Sequence, residues 1–296
     1  MYSGVCMMRK LILPAFRIME PLLMAPRLGD LFPVKTVYWY LLNHLKDPSA
    51  IADIQGHKMH LDPDDTLALS VRGIHEPIET GIINREIQKG DIVLDIGANI
   101  GYYTLIAARL VGPEGKVFAF EPDPMNFNLL KKNVEMNGYR NVVLVNKAVA
   151  SKTEKLRLFL SEENKADHRI YDSHDGRLSI EIDAIRMDDF LADSDGRIDF
   201  IKMDIQGAEG GAVQGMPILL EKNRRLKMVT EFWPFGLKQF GVEPSEYIEL
   251  FVKHGFVLYE IDERRKSIQP ADIARILKTC TPENRKFTNL FCVRSS

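Results

Sequence analysis

The chain has 296 residues, 45% of them hydrophobic, which is enough for one large α/β domain and an extension. Its formal net charge of −2 provides no basic field and argues against nucleic acid as a partner. The three cysteines, Cys6, Cys280 and Cys292, form no C-x-x-C pair, so we expect neither a zinc motif nor a redox motif. A reducing, cytoplasmic environment is the default expectation.

Residues 5–45 are rich in Leu, Ile, Met and aromatic residues, but charges and prolines interrupt every apolar run. No run approaches a membrane span, and no apolar segment ends in a signal-peptide cleavage site. We expect a helical extension over residues 1–53. Two interpretations stay open: short helices that cap the core or pair subunits in a homodimer, and a peripheral anchor on a membrane surface.

Residues 54–296 are expected to form the main domain. A strand pair is predicted at 54–61 and a helix at 79–87. Strands and helices then alternate, which predicts a mostly parallel sheet with helices on both faces. Further strands are predicted at 117–121, 142–145, 198–203, 228–232, 256–261 and 287–293. Further helices are predicted at 124–137 and 271–277, and the short second one allows an antiparallel final strand.

Residues 93–104 predict a buried strand, a glycine turn and the start of a helix. Gly97 and Gly101 are expected to let a ligand approach the backbone, and the helix N-terminus offers N–H donors. Asn99 stands where a dinucleotide fingerprint has its second glycine, which would crowd a pyrophosphate. Asp95, at the strand end, is expected to point into the crevice and to suit an ammonium group or hydroxyls. S-adenosylmethionine fits these requirements.

The next strand ends in Glu121, twenty residues beyond Gly101. A carboxylate there can accept hydrogen bonds from both ribose hydroxyls of a nucleoside, and Pro122 then ends the strand. Strand, turn, helix, strand and terminal acid at this spacing favour a nucleoside-type cofactor. A nucleotide-dependent oxidoreductase is a weaker alternative because of Asn99.

The chain resembles the FkbM-family methyltransferases. The stretches that carry the resemblance lie within residues 56–262 and are 93–101, 118–122, 201–209 and 229–232. The resemblance implies the class I, Rossmann-like methyltransferase fold, with a mostly parallel seven-stranded sheet in the order 3-2-1-4-5-7-6. It also implies O-methylation of a hydroxyl on a sugar, a glycolipid or a secondary metabolite. A non-catalytic cofactor-binding scaffold is the alternative. Gln206 departs from the family, which commonly has a glutamate there.

The resemblance also suggests roles for individual residues. Asp204 ends the fourth strand, where it would orient the acceptor or the cofactor's methyl end, although a helix cap is a competing role. Glu209 follows in the first turn of a helix and is a second candidate base, although the helix dipole alone could favour an acid there. Glu76 would contact the methionine part of the cofactor, or mark the helix entry before Pro77. Ala148, just after the third strand, completes the expected cofactor set.

The polar loop 161–171 contains His168. An unperturbed histidine has a pKa of about 6.5 and suits general-base work at neutral pH, so we expect His168 and Asp204 to cooperate at the acceptor hydroxyl. A solvated or structural histidine is the alternative.

Some O-methyltransferases hold a divalent cation with an Asp at the fourth strand and an Asp-Asn pair further on. The equivalent segment here is 230–233, Thr-Glu-Phe-Trp, so no metal is expected. Trp233, Pro234 and Phe235 would either line an acceptor pocket or pack a loop.

Overall fold

The structure is a computed structural model that describes residues 2–23, 31–47, 51–162 and 164–294. Residues 24–30 and 48–50 of the predicted extension, and Glu163 of the polar loop, lie outside the described residues.

The helices and strands alternate through most of the chain. The helices are α1 (Tyr2–Leu23), α2 (Phe32–Leu45), α3 (Leu69–Arg72), α4 (Pro77–Glu86), α5 (Tyr102–Val111), α6 (Pro124–Met136), α7 (Met187–Phe190), α8 (Glu209–Gln214), α9 (Pro217–Lys222), α10 (Pro234–Phe240), α11 (Pro244–Lys253) and α12 (Ile273–Thr279). The strands are β1 (Ala52–Ile54), β2 (His57–Met59), β3 (Ile92–Ile96), β4 (Lys116–Phe120), β5 (Val142–Val145), β6 (Ala148–Val149), β7 (Glu154–Phe159), β8 (Ser179–Ile185), β9 (Phe200–Met203), β10 (Lys227–Phe232), β11 (Phe256–Asp262), β12 (Ser267–Pro270) and β13 (Thr288–Arg294).

The central sheet has eight strands in the order β12-β11-β13-β10-β9-β3-β4-β5. The strands from β10 to β5 pair in parallel, whereas β13 is antiparallel to both of its neighbours. Without β12, and numbered along the chain, the strands run 3-2-1-4-5-7-6. The expectation of seven strands therefore missed β12, a short edge strand that pairs with β11 and ends at Pro270.

A small second sheet, β6-β8-β7, was not anticipated from the sequence. Buried and exposed side chains alternate along β8, where Ile182 and Ala184 are buried and Glu181 and Asp183 are exposed. Alternation of this kind is typical of a half-exposed antiparallel strand, whereas the strands predicted from the sequence are mostly continuous apolar runs. The predicted polar loop therefore lies between β7 and β8.

Side chains alternate between the two covered faces of the central sheet. Leu94 and Ile96 belong to the core on one face, and Val93 belongs to the core on the other. Asp95 and Lys202 are register partners on adjacent strands, so both lie on the face that α5 covers. The fold thus brings two charged groups together beneath the glycine turn.

Helices α1 and α2 pack on α3 through a separate small core that includes Phe16, Tyr38 and Val71. Arg72 and Glu20 form an ion pair of 2.8 Å across this contact. Within the described part of the chain, no helix combines the length and hydropathy that a bilayer crossing requires.

Candidate active site

A cavity opens at the carboxyl ends of β3, β4 and β9, and encloses about 880 Å³ when counted out to its open mouth. The predicted site residues that line it are Gly97, Asn99, Glu121, Pro122, Ala148, His168 and Asp204. The predicted site residues that do not line it are Glu76, Asp95, Gly101 and Glu209. The fold therefore brings most of the predicted set to one place.

The glycine turn is shaped by protein contacts. Gly97 has a φ of +83°, and a Cβ there would lie 2.0 Å from the carbonyl oxygen of Asp204. A Cβ on Gly101, where φ is +98°, would lie 2.8 Å from Leu130 Cδ1. Both glycines therefore permit close packing around the turn. We expected them to make room for a ligand, but the atoms closest to them belong to the protein.

Glu121 forms the wall of the cavity beside this turn. Its side chain is buried, and its carboxylate accepts the backbone N–H groups of Asn99 at 2.8 Å and Asp123 at 2.9 Å. Burial raises the pKa of Glu121 to about 8, although the two N–H donors oppose the shift. The carboxyl therefore holds a proton at neutral pH when nothing else donates to it.

Asp95 lies beneath the turn instead of pointing into the cavity as expected. Alternation along β3 places it on the α5 face, where the hydroxyl of Thr104 donates to its carboxylate. Burial raises the pKa of Asp95 to about 6. Its position shows that it supports the start of α5 from below.

A buried ion-pair network occupies the other end of the cavity. Lys202 Nζ lies 3.3 Å from Asp204 Oδ2 and 3.4 Å from Glu79 Oε1. The same ammonium group lies over the ring of Tyr103, 4.8 Å from its centroid. Burial alone would lower the pKa of Lys202, but the carboxylates of Asp204 and Glu79 outweigh burial and raise it. Lys202 therefore keeps its charge.

Asp204 is held at this end by two neighbours. Burial would raise its pKa, but the ammonium of Lys202 and a hydrogen bond from Gln206 together hold it below its ordinary value. The amide Nε2 of Gln206 donates to Asp204 Oδ1 at 2.9 Å. An ionised glutamate has no proton to donate there, so the departure from the family pattern has a structural consequence.

Glu209 holds the turn between β9 and α8. Its carboxylate oxygens accept the backbone N–H groups of Ile205 at 2.8 Å and Gly207 at 2.9 Å. The side chain is fully buried, and burial raises its pKa to about 7. Its contacts are those of a turn-stabilising acid, and its role as a second candidate base stays a prediction.

Three carboxylates, those of Asp204, Glu209 and Glu231, approach one another at this edge of the sheet. One oxygen from each lies within 4.8 Å of the others, and Glu231 Oε2 is buried with no hydrogen-bond partner among the residues that the structure describes. Asp204 and Glu209 already have the partners described above. The expected absence of a metal stays a prediction.

His168 lies at the Glu121 end of the cavity. Its Nδ1 accepts the backbone N–H of Ser161 at 3.0 Å, and its Nε2 is 4.0 Å from Asp123 Oδ2. Burial lowers the pKa of His168, although Asp123 raises it in part. A neutral ring that accepts at Nδ1 carries its proton on Nε2, so its lone pair is already engaged. A base role for His168 stays a prediction.

A second histidine, His75, also lines the cavity, and no motif in the sequence indicates it. Its Nε2 is 3.4 Å from Glu76 Oε2. Glu76 in turn accepts the hydroxyl of Tyr103 at 2.9 Å and the amide of Asn289 at 3.1 Å. The only sequence signal for His75 is its place beside Glu76, because its partners come from distant parts of the chain.

Trp233 was expected to line an acceptor pocket or to pack a loop. Its indole N–H donates to the carbonyl of Arg285 at 3.2 Å, and the guanidinium of Arg169 lies over its ring at 5.0 Å. Neither Trp233 nor Phe235 lines the cavity, so the contacts correspond to the loop-packing alternative.

Comparison with known proteins matches residues 95–258, more than half of the chain, to the methyltransferase FkbM domain. The chain is 40% identical over 70 residues to a protein-L-isoaspartate O-methyltransferase of Aeropyrum pernix, covering 22% of this chain and 27% of that protein. It is 26% identical over 144 residues to Methyltransferase 1 of Beauveria bassiana, covering 42% of this chain and 57% of that protein. Both matches thus span less than two thirds of the relative's length.

Among solved structures, the chain is similar to a SAM-dependent O-methyltransferase from Thermotoga maritima. The two chains are 13% identical with a TM-score of 0.41, and the match covers 89% of this chain and 82% of that one. The family match contains the glycine turn, Glu121 and Asp204, which are the residues that build the cavity. The chain belongs to the FkbM family of S-adenosylmethionine-dependent methyltransferases.

Proposed function

We propose that this chain is an S-adenosylmethionine-dependent O-methyltransferase that acts on a hydroxyl of a small molecule or glycan, such as a sugar, a glycolipid or a secondary metabolite. One observation carries the proposal: a single cavity joins the buried acid Glu121 to the ion pair of Lys202 and Asp204. The first group suits a nucleoside, and the second suits a polar acceptor.

The residues at the Glu121 end fit this cofactor. Glu121 is a buried carboxyl with a raised pKa, and two hydroxyl donors from a ribose would stabilise its ionised form. Pro122 and Ala148 provide apolar wall on the same side, and Asn99 and Gly97 line the turn. When bound, S-adenosylmethionine supplies a methyl group on a positively charged sulfur.

The supporting residues act from behind the cavity wall. Asp95 fixes the start of α5 through Thr104, and Gly101 is the residue that precedes this helix. Glu76 holds Tyr103 and His75 beside the network of Lys202. We propose that these three predicted site residues affect the cofactor through this framework.

Asp204 is the residue proposed to orient the acceptor or the methyl end of the cofactor. Methyl transfer requires an acceptor oxygen that is aligned with the methyl carbon and relieved of its proton. Because Lys202 keeps Asp204 ionised, Asp204 can accept a hydrogen bond from an acceptor hydroxyl but is a poor proton acceptor. A separate base is therefore needed.

The two alternatives are weaker on specific grounds. A non-catalytic scaffold would be favoured if Asp204 or the glycine turn were missing, and both are present. An oxidoreductase would need room for a pyrophosphate where Asn99 stands. A net charge of −2 continues to argue for a small or glycan acceptor over a nucleic acid.

Thermal unfolding and mass spectrometry test the proposal. S-adenosylmethionine is expected to raise the melting temperature, whereas NADH is not, because the cavity suits a nucleoside and not a pyrophosphate. Incubation with S-adenosylmethionine and a panel of sugars, glycolipids and phenols should yield a product with one added methyl group. Asp204→Asn should keep the thermal shift and lose product. A shift with NADH alone would contradict the proposal.

A separate proposal concerns the extension of residues 1–53 as a contact surface. Ile18, Leu22 and Tyr40 are 78%, 66% and 61% exposed, so α1 and α2 both have apolar side chains that no described residue covers. Subunit pairing and peripheral membrane contact are the two uses we expected. Light scattering and flotation with anionic vesicles distinguish them, since pairing predicts a dimer that stays unbound and anchoring predicts a monomer that floats.

A further inference from the structure

The cavity wall contains a histidine with a carboxylate held behind it. His75 lines the cavity, and its Nε2 lies 3.4 Å from Oε2 of the next residue, Glu76, which does not line the cavity. We propose that His75 is the general base for the acceptor hydroxyl and that Glu76 is a positioning residue acting through it. The proposal rests on the proposed function and adds the proton acceptor that Asp204 cannot supply.

The geometry distinguishes the two nitrogens of His75. A neutral imidazole has one N–H and one lone pair, and a neighbouring carboxylate favours the N–H on the nitrogen that faces it. With the proton on Nε2, the lone pair is on Nδ1, which is then the nitrogen that can accept a proton. His168 differs, because the backbone N–H of Ser161 already occupies its Nδ1.

Glu76 is fixed by contacts that a simple helix-entry residue would not need. Tyr103 donates to one of its carboxylate oxygens at 2.9 Å, and Asn289, from β13, donates to the other at 3.1 Å. Its backbone has a φ of +41°, a conformation that costs energy for a residue with a side chain. A base oriented by a third group in this way is a recurring arrangement at sites of proton transfer.

Burial favours the neutral form of the His75 ring. Burial lowers its pKa most, Lys202 and Arg72 lower it further, and the carboxylates of Glu76 and Asp204 oppose the change. At neutral pH the ring can therefore accept a proton. The charged and titratable groups around it are Arg72, Glu76, Tyr102, Tyr103, Lys202 and Asp204.

In the proposed reaction, methyl transfer and proton transfer take place in one step. As the acceptor O–H bond breaks, its proton passes to His75 Nδ1, and the oxygen's electron pair forms the new bond to the methyl carbon. The carbon–sulfur bond breaks with its electron pair left on sulfur, so the neutral thioether departs. His75 becomes an imidazolium stabilised by the Glu76 carboxylate, and its proton then passes to solvent.

Nitrogen-15 NMR of the whole protein with bound S-adenosylhomocysteine tests the geometry without an acceptor. We expect His75 to carry its proton on Nε2 at neutral pH, and the Glu76→Gln variant to lower the pKa of His75 because a negative charge is removed. A proton found on Nδ1, or an unchanged pKa in that variant, would overturn the proposal. These signals are independent of whether any acceptor is methylated.

Kinetics with the acceptor found in the mass-spectrometry panel test the role. His75→Gln should lower turnover by about a hundredfold to ten-thousandfold. It should also remove the loss of rate at acidic pH that protonation of the base causes, and leave S-adenosylhomocysteine affinity within about twofold. His174→Gln, which changes an exposed histidine outside the cavity, is the matched control. Full turnover in His75→Gln, a tenfold loss of cofactor affinity, or disappearance of the acidic limb in His168→Gln instead would each overturn the assignment.

Discussion

The two ends of the cavity shift the pKa of a carboxyl in opposite directions. At one end, Glu121 accepts from two backbone N–H groups, and burial raises its pKa to about 8. At the other end, Asp204 is also desolvated, but Lys202 and Gln206 hold its pKa below the ordinary value. Desolvation acts to raise the pKa of both carboxyls, although Asp204 is more exposed than Glu121, so the kind of partner decides which carboxyl is charged. The carboxyl of Glu121 is thus suited to hydroxyl donors, whereas Asp204 has a negative charge before any ligand binds.

The two histidines that line the cavity also differ in the contacts of their ring nitrogens. His168, at the Glu121 end, uses its Nδ1 lone pair to accept a backbone N–H. His75, close to the Lys202 network, has a carboxylate at Nε2 instead. A histidine whose lone pair already accepts a hydrogen bond is suited to holding a loop, whereas the proposal for His75 leaves its lone pair available to accept a proton.

The largest expected loss of stability is at Gly97, in the glycine turn beside the end of β9. Gly97→Ala would place a Cβ 2.0 Å from the carbonyl oxygen of Asp204, so either the turn or the end of β9 must move. We expect a loss of at least about 4 kcal/mol in the free energy of unfolding. Chemical denaturation measures it.

Gly90→Ala is the matched control for this variant. Gly90 has nearly the same φ, +82°, but no atom within 4 Å of the added Cβ. It should cost only about 1 to 2 kcal/mol, the strain of a left-handed residue. Equal losses in the two variants would show that the contact between turn and strand is unimportant.

Removal of the cation at the charged end should have the next largest effect. Lys202→Met removes the cation shared by Glu79, which is buried, and Asp204, whose side chain is 32% exposed. Because water screens Asp204 in part and the pKa of Glu79 is raised to about 8, the loss should be about 1 to 3 kcal/mol of unfolding free energy. Because Asp204 has a lowered pKa, its stabilising contribution is present above its unfolded pKa and is lost as the pH falls through the folded one. The difference in unfolding free energy between Lys202→Met and wild type should therefore become smaller at acidic pH.

An exposed ion pair provides the comparison for Lys202. Lys155 and Glu181 lie 2.6 Å apart, with side-chain exposures of 67% and 66%. Lys155→Met should leave the free energy of unfolding nearly unchanged, because water screens an exposed pair. If Lys202→Met were equally mild, the charged end would not depend on its ion pairs.

The smallest effect has the opposite sign and lies at the Glu121 end. The folded pKa of Glu121, about 8, is above its unfolded value, so the folded state binds more protons between the two and stability falls as the pH rises through that window. Glu121→Gln, without cofactor, should be about 1 kcal/mol less stable than wild type in acid, because its amide nitrogen cannot accept the second backbone N–H. Between about pH 5 and pH 8 it should gain about 1 to 3 kcal/mol relative to wild type, because it has no group that must lose a proton. Thermal unfolding across pH checks this. A difference that does not vary with pH would contradict the raised pKa.

The sequence predicted the parts of the site that depend on strand ends. Gly97, Glu121 and Asp204 each follow an apolar strand of a parallel sheet, and the carboxyl ends of such strands meet at one edge. The same reasoning predicted the fold class, because alternating strands and helices permit few arrangements. It did not predict that Asp95 lies beneath the turn, since the face of a strand-end residue depends on how the next helix packs.

The parts that were not predicted depend on contacts between distant segments. Asn289 donates hydrogen bonds to Glu79 and Glu76, more than 200 residues earlier in the chain, and Glu79 contacts Lys202. No local spacing in the sequence indicates such contacts. His75 is missed for the same reason. Strands β7 and β8, by contrast, have a period-two signal that could have been recognised.

Calorimetric titration of S-adenosylmethionine into wild type and Glu121→Ala tests the central claim most directly, because that claim places the cofactor's ribose at the buried carboxyl of Glu121. Loss of hydrogen bonds to a charged partner should weaken binding by about 1.5 to 3 kcal/mol, roughly tenfold to more than a hundredfold in the dissociation constant. Circular dichroism should show that the variant is folded. Unchanged affinity in a folded Glu121→Ala variant would contradict the claim that this cavity is the cofactor site.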